Sequence, residues 1–168
     1  DENFSVIALR QGTISGYSPR MRLDLVVNTM FKSAISTQEI TVNNPTIWRP
    51  ILSINDATNA YIKAIEAQKE IFGIFNICSG NYTVGEIGDL VKQGVEKNLG
   101  IQIKLNIKHM KDFRNYKVSA KKARKILNFS PSHDISSIVN NLGKNKDNFK
   151  DFENSNYYNI QVFKKTKI

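Results

Sequence analysis

Residue types that bind anions cluster between a predicted strand and a predicted helix near the start of the chain. Gly12 and Gly16 flank Thr13, and Arg20 and Arg22 follow closely. Loops after strands in α/β folds line ligand crevices, and the free amides of a helix amino terminus attract negative charge, as the two arginines do. This spacing predicts a phosphate site, although the same two glycines also fit a plain turn.

A second basic feature is the run of residues 104–125, which has seven Lys and two Arg against Asp112, a net charge of +8. The whole chain carries +9, so the remainder is nearly neutral. Concentrated positive charge favours anionic partners. Three interpretations stay open: the phosphates of a small ligand, nucleic acid, or a solvated helix face with a basic turn. Nucleic acid is disfavoured, because only Phe113 and Tyr116 supply aromatic rings within the run.

The composition excludes several other kinds of protein. A chain of 168 residues with 40% apolar and 23% charged content is typical of one ordinary soluble domain. Cys78 has no partner for an internal disulfide, and His109 and His133 do not complete a metal-ligand spacing with it, so we expect no structural metal. No run approaches the roughly 20 apolar residues of a membrane span. No secretion signal is recognisable either, and we expect a cytoplasmic protein.

Hydrophobic periodicity predicts alternating strands and helices, and therefore an α/β domain with helices packed on a small sheet. The predicted strands cover residues 4–9, 39–42, 49–53, 74–78 and 101–105. The predicted helices cover residues 23–35, 56–65, 83–95 and 119–127. The first strand is apolar at nearly every position, which is typical of a parallel strand covered on both faces. We therefore expect that neighbouring strands precede it and that the chain is a fragment.

Local signals place the ends of two of these helices. Thr83 followed by Glu86 forms a capping box, in which the hydroxyl and the carboxylate each bind a backbone amide of the first turn. Ser119 is predicted to cap the short basic helix, with Ala123, Ile126 and Leu127 facing inward. From about residue 143 the pattern fades into Lys, Asp and Asn, and we expect a loose tail in which only residues 157–163 dock.

Six segments, taken in order, resemble one protein family. They are residues 9–16, 18–28, 48–56, 75–77, 81–87 and 112–119. Together they resemble the second half of NAD-dependent epimerase/dehydratase proteins of the extended short-chain dehydrogenase class, which act on nucleotide sugars. The resemblance implies an α/β fold, namely the carboxyl-terminal part of a Rossmann-like NAD(P)-binding protein with a small mixed sheet and packed helices. It assigns residues 1–16 to the last strand region of a truncated Rossmann domain, 17–142 to a substrate-binding domain and 143–168 to the tail.

The same resemblance implies which arginines bind the substrate. Arg49 matches the family's arginine that holds the diphosphate of the nucleotide sugar, and Arg114 looks like a second phosphate contact. A guanidinium suits this role because its planar fork donates to two phosphate oxygens at once. Arg20 and Arg22 are included among the predicted substrate contacts because of their position in the loop described above.

Four further positions follow from the resemblance. Thr13 matches a substrate-facing position, and Ile14 matches one that packs near the nicotinamide. Asn28 either faces the sugar or supports helix packing through its side chain. Val42 matches a position that packs on the base, while the alternative for any valine in a strand is an ordinary place in the core.

Two motifs of the family are absent from the sequence, the glycine-rich GxxGxxG loop and the catalytic Tyr-x-x-x-Lys pair. Tyr61 and Lys63, for instance, lack the i, i+4 spacing that puts a phenol and an ammonium on one helix face. The resemblance thus implies a parent enzyme that uses NAD or NADP and that could form a homodimer. It implies that this chain binds the nucleotide sugar but contains no catalytic residue. The alternative to a fragment is a degenerate, non-catalytic gene product.

Overall fold

The chain folds as an α/β protein in which short strands alternate with helices. The computed structural model describes residues 5–111 and 114–166. The strands are β1 (Ile7–Gln11), β2 (Thr13–Ser15), β3 (Glu39–Asn43), β4 (Trp48–Ser53), β5 (Gly73–Ile77), β6 (Gly80–Thr83) and β7 (Lys104–Lys108). The helices are α1 (Val26–Thr37), α2 (Ile54–Ile65), α3 (Val84–Leu99), α4 (Lys121–Ile126), α5 (Ile135–Lys144) and α6 (Asn159–Lys165), with 3-10 turns at Lys146–Phe149 and Ser155–Tyr157.

The strands form three small sheets. β1 pairs with β5 and β3 pairs with β7, both in parallel, while β4 lies between parallel β2 and antiparallel β6. Gly12 lets the chain pass from the first sheet to the second. Its amide donates to the carbonyl of Ile77 at 2.8 Å, and a Cβ there would meet the carbonyl oxygen of Pro50 at 3.0 Å. The predicted α/β class with a small mixed sheet and packed helices is confirmed.

Two hydrophobic cores meet at β4. The larger core joins α1, α3 and α5 to β3, and Ile51 of β4 belongs to it. The smaller core joins α2, β5 and α4, and Leu52 of β4 belongs to that one. Neighbouring residues of a strand point to opposite faces, so β4 is covered on both sides by the two cores.

Most of the predicted elements lie where the hydrophobic period placed them. The capping box of α3 is confirmed, because Thr83 Oγ1 accepts from the amide of Glu86 and the Glu86 carboxylate accepts from the amide of Thr83. The strand predicted at 101–105 begins three residues later, as β7. The cap of α4 is Ala120 rather than Ser119, and Ile126 of that helix is exposed.

The region expected to be loose contains one core residue, Phe149, which is 2% exposed and belongs to the larger core. Tyr157 lies where docking was expected, and its carbonyl accepts from the amide of Leu23 at 3.0 Å. Helix α5, which the sequence analysis did not predict, leads into this region from the larger core. The last residues, 167 and 168, lie outside the described part of the chain.

The first predicted strand begins at Ile7, and Phe4 lies outside the described residues. Its predicted cover on both faces is not found, because alternate residues of β1 are exposed. A groove of about 540 Å³ runs between β1 and α2, lined in part by Ile7, Leu9 and Ile65. Ile74 is exposed too, but it pairs with Ala8 and so lies on the face of the β1–β5 sheet opposite to Ile7 and Leu9. We refer to the groove, with the exposed Ile65 beside it, as the β1–α2 face; it leaves apolar side chains open to solvent.

We expect the chain to self-associate at high concentration through the β1–α2 face, because exposed apolar area and an unpaired strand edge promote contacts between chains. Light scattering should show a rising mean mass with concentration. Replacing Ile65 by Lys should lower that mass, whereas Lys at exposed Ile160 of α6 should not. A monodisperse monomer at high concentration would contradict this expectation.

Candidate functional site

A cavity of about 330 Å³ brings together three of the predicted site residues, Thr13, Arg49 and Arg114. They come from β2, from β4 and from the segment after β7, so they are adjacent only in the folded chain. The other lining residues come from the region around the start of α1, from β3, from the residue before β4 and from the start of α3: Asp24, Leu25, Val26, Thr29, Met30, Thr41, Asn43, Ile47 and Val84. We refer to this cavity as the arginine cavity.

Arg49 is half-buried on β4, and backbone carbonyls fix its guanidinium. Nη1 donates to the carbonyl of Trp48 at 2.9 Å and also to the carbonyl of Arg114. The Trp48 amide donates to Oδ1 of Asn115 at 2.9 Å, and the Lys117 ammonium lies 3.4 Å from the centre of the Trp48 ring. The side chain of Arg49 is thereby oriented before any ligand arrives, which lowers the entropy lost on binding.

Helix α1 begins at the wall of the arginine cavity. Leu25 is its N-cap residue and provides no side-chain cap, and the first turn has no acidic residue. The positive end of the helix dipole thus faces the cavity, which favours an anion there. Asp24 also lines the cavity, but its carboxylate accepts from Nε and Nη2 of Arg22 at 2.9 and 3.0 Å.

The two loop arginines contact other parts of the protein. Arg22 forms the ion pair with Asp24, and Arg20 donates to Oδ1 of Asn159 at 3.0 Å. Neither lines the arginine cavity. Their spacing in the sequence predicted a phosphate site, whereas the structure shows Arg22 balancing the charge of Asp24 at the cavity wall and Arg20 holding α6.

Of the two roles proposed for Asn28, its contacts match the structural one, support of packing through its side chain. It is 2% exposed, its Oδ1 accepts from the amide of Gly16 at 3.0 Å, and its Nδ2 donates to the carbonyl of Arg22 at 2.9 Å. Gly16 has a φ of 118°, a conformation that favours glycine. Asn28 therefore fixes the loop between β2 and α1, and it does not line the arginine cavity.

Val42 was predicted either to contact the base of a nucleotide or to occupy an ordinary core position, and it lies in the core. It is 2% exposed, and a Cβ on Gly88 of α3 would meet its Cγ2 at 2.7 Å. Its neighbours Thr41 and Asn43 line the cavity instead, because successive strand residues face opposite sides. Sequence reasoning missed these two residues, although the alternation of β3 contains the signal. Ile14 packs against the smaller core, and its role near a nicotinamide remains a prediction.

The basic run of residues 104–125 is divided among several elements. Lys104 of β7 lies 3.6 Å from the carboxylate of Glu39, and Lys122 of α4 donates to the carbonyl of Ile74 at 3.0 Å. Arg114 alone of the run's described residues lines the arginine cavity. The positive charges of the run therefore do not lie on one face of a single helix.

A buried carboxylate, Asp56, lies at the amino end of α2, outside the arginine cavity. It is 2% exposed and accepts from Ser79 Oγ at 2.6 Å and from the amides of Ser132 and His133 at 3.1 and 3.2 Å. His133 Nδ1 lies 2.8 Å from its Oδ1. Burial by itself would raise the pKa of Asp56, but the hydrogen bonds from Ser79, His133 and Ser132 together lower that pKa below its ordinary value of 3.8.

We expect the stability of the chain to fall in acid because of Asp56. Its pKa is lower in the folded than in the unfolded chain, so its stabilising contribution is present above 3.8 and is lost as the pH falls through the folded value. Urea denaturation from about pH 6 down to about pH 3 should show this loss. Asp56→Asn should be less stable at neutral pH and should show a shallower acid slope, whereas Asp151→Asn at an exposed position should keep the wild-type slope. Equal slopes in all three proteins would contradict the assignment.

The described residues contain no cluster of three or more His, Cys, Asp or Glu side chains that could hold a metal ion. Within residues 5–111 and 114–166, every helix is too short or too polar to cross a membrane.

The fold is shared with a part of several solved proteins, two of which are UDP-sugar epimerases. UDP-glucuronic acid 4-epimerase from Bacillus cereus, solved with UDP-glucuronic acid and NAD, matches with a TM-score of 0.68 and 22% identity over 84% of this chain and 45% of that one. UDP-glucose 4-epimerase from Bifidobacterium longum, solved with NAD+ and UDP, matches with a TM-score of 0.66 and 18% identity over 94% of this chain and 50% of that one. RMD from Pseudomonas aeruginosa, solved with NADPH, matches with a TM-score of 0.67 and 14% identity over 84% of this chain and 48% of that one.

These similarities establish the fold of the chain. The chain spans about half the length of each of these three solved proteins. It matches no protein-family model and no curated protein at a significant level.

Proposed function

We propose that this chain is the nucleotide-sugar-binding part of an NAD(P)-dependent nucleotide-sugar epimerase or dehydratase, and that it is inactive by itself. The observation that carries the proposal is the meeting of Thr13, Arg49 and Arg114 in one cavity at the start of α1. Two guanidinium groups and the positive end of a helix are suited to a diphosphate, which has several anionic oxygens to share among them. The shared fold with enzymes solved with UDP or UDP-glucuronic acid supports the same assignment.

Within such an enzyme the residues of this chain bind and orient the substrate. Fixing a sugar against a cofactor lowers the barrier by removing translational and rotational freedom before reaction. Arg49 and Arg114 hold the diphosphate, and Thr13 faces the rest of the ligand. The proton chemistry belongs to a Tyr-x-x-x-Lys pair, which this sequence does not contain.

The residues present do not fit a dinucleotide without a further domain. The sequence has no GxxGxxG loop, and Ile14 is the single predicted cofactor contact. β1 pairs only with β5 among the described residues, and apolar side chains such as Ile65 are exposed at the β1–α2 face. A parallel sheet is normally covered on both sides, so this face fits the attachment of a Rossmann-like, cofactor-binding domain. A cytoplasmic location and a homodimer of the whole enzyme belong to the same proposal.

Calorimetric titration of the 168-residue chain tests the proposal. We expect UDP-glucuronic acid or UDP to bind, with an affinity that decreases with salt, and we expect neither NAD nor NADP to bind. Micromolar affinity for NAD would contradict the proposal that cofactor binding requires a further domain. Binding of a random single-stranded oligonucleotide with a steep salt dependence, without binding of UDP, would favour a nucleic-acid module instead.

A further inference from the structure

The backbone that holds Arg49 belongs to a segment without regular secondary structure. The described residues 110–111 and 114–118, here called the arginine segment, lie in neither a helix nor a strand. Even so, the carbonyl of Arg114 accepts a hydrogen bond from Nη1 of Arg49, and the side chain of Arg114 lines the arginine cavity. A segment of this kind loses conformational entropy when it is fixed, so other contacts must hold it in place.

Asn44 holds one end of the arginine segment. Its Oδ1 accepts from the amide of Met110 at 2.8 Å, and its Nδ2 donates to the carbonyl of Met110 at 2.7 Å. Its own amide donates to the carbonyl of Lys108 at 2.8 Å, just after the end of the β3–β7 pairing. Asn44 has a φ of 53°, a left-handed conformation that asparagine tolerates better than most residues.

Asn81 holds the other end in the same way. Its Oδ1 accepts from the amide of Val118 at 2.8 Å, and its Nδ2 donates to the carbonyl of Val118 at 2.9 Å. Each asparagine thus exchanges two hydrogen bonds with the backbone of one residue, as a neighbouring strand would. Arg114 lies midway in sequence between Met110 and Val118.

We propose that Asn44 and Asn81 are positioning residues for the anion site of the arginine cavity. Neither lines the cavity, and both act through the backbone of the arginine segment. By fixing Met110 and Val118, they maintain the hydrogen bond from Arg49 to the Arg114 carbonyl and hold the Arg114 side chain at the cavity. The two guanidinium groups are therefore in place before a ligand binds. The role in ligand binding rests on the proposed function, while the role in holding the segment does not.

The single tryptophan of the sequence reports on this arrangement. Trp48 precedes Arg49, its amide donates to Asn115, and Lys117 lies over its ring. Release of the arginine segment removes both contacts and exposes the half-buried indole. The variants are Asn44→Gly, which suits the left-handed backbone, and Asn81→Ala. The control is Asn106→Ala, whose side chain bonds Glu39 across the β3–β7 pair that Asn44 follows.

Each protein is compared at a temperature where its melting curve shows it fully folded. For Asn44→Gly and Asn81→Ala we expect acrylamide to quench Trp48 about twofold more steeply than in wild type. We also expect UDP to bind about tenfold more weakly, because the segment must then be ordered on binding. The control should match wild type in both measurements.

Wild-type quenching and wild-type UDP affinity in both variants would overturn the proposal. Equal changes in the Asn106→Ala control would also overturn it, because the effect would then be general. If wild type itself does not bind UDP, the proposed function fails, and the quenching of Trp48 still decides whether the two asparagines hold the segment.

Discussion

Replacing Arg49 with Ala should weaken the binding of a nucleotide sugar by about ten- to a hundredfold. Charge-assisted hydrogen bonds are worth about 1.5 to 3 kcal/mol each, and 1.4 kcal/mol corresponds to a factor of ten in affinity. Arg49 is held by two carbonyls on a strand covered by both cores, so little of its entropy remains to be lost on binding. Calorimetric titration of UDP-glucuronic acid into wild type and variant measures the effect.

Two further variants distinguish geometry from charge. Arg49→Lys should restore binding only in part, since an ammonium does not reproduce the planar fork. Lys121→Ala removes one positive charge from exposed α4, away from the cavity, and its small effect should disappear in salt. Wild-type affinity in Arg49→Ala together with a large loss in Lys121→Ala would place the site on the basic helix instead.

Replacing Phe149 with Ala should lower the free energy of unfolding by about 3 to 5 kcal/mol, the usual cost of removing a buried phenyl ring. The ring lies 5.9 Å from that of Tyr17, stacked at 26°, and 6.3 Å from the rings of Phe31 and Phe152. It therefore joins the region after α5 to α1 and to the loop before α1. Urea denaturation monitored by circular dichroism measures the change.

Phe163→Ala is the matched control for this second prediction. Phe163 has the same side chain in α6, but it is 66% exposed, so its removal should change the free energy of unfolding by less than about 0.5 kcal/mol. If both variants unfolded like wild type, the region after α5 would not contribute to the core as the structure indicates.

The periodic elements could be predicted from the sequence because each has a strong local pattern. The helical spacing of Val27, Met30 and Phe31 identifies α1, and the capping box identifies the start of α3. Helix α5 was not predicted, although Ile135, Ile138 and Leu142 recur at helical spacing. β6 has no such signal. Its residues become a strand through antiparallel pairing with β4, a tertiary contact.

The candidate site divides in a similar way. No local pattern brings Thr13, Arg49 and Arg114 together, because three elements distant in sequence meet there; their selection came from the family resemblance, and their roles stay predictions. Arg20 and Arg22 were chosen from local spacing; Arg20 bonds Asn159 away from the cavity, and Arg22 pairs with Asp24 at the cavity wall without lining the cavity itself. The supporting asparagines were not predicted, since a side chain that binds a distant backbone leaves no periodic trace.

Arg49 lies on a strand that both hydrophobic cores share, with Ile51 in one and Leu52 in the other. Neither core can therefore loosen without disturbing the strand that presents the guanidinium. We therefore expect ligand affinity and global folding to be linked through this strand, so that a nucleotide binding as proposed would raise the melting temperature of both cores together. By the same linkage, we expect a destabilising substitution deep under α4 to lower the occupancy of the cavity under conditions where it populates the unfolded chain.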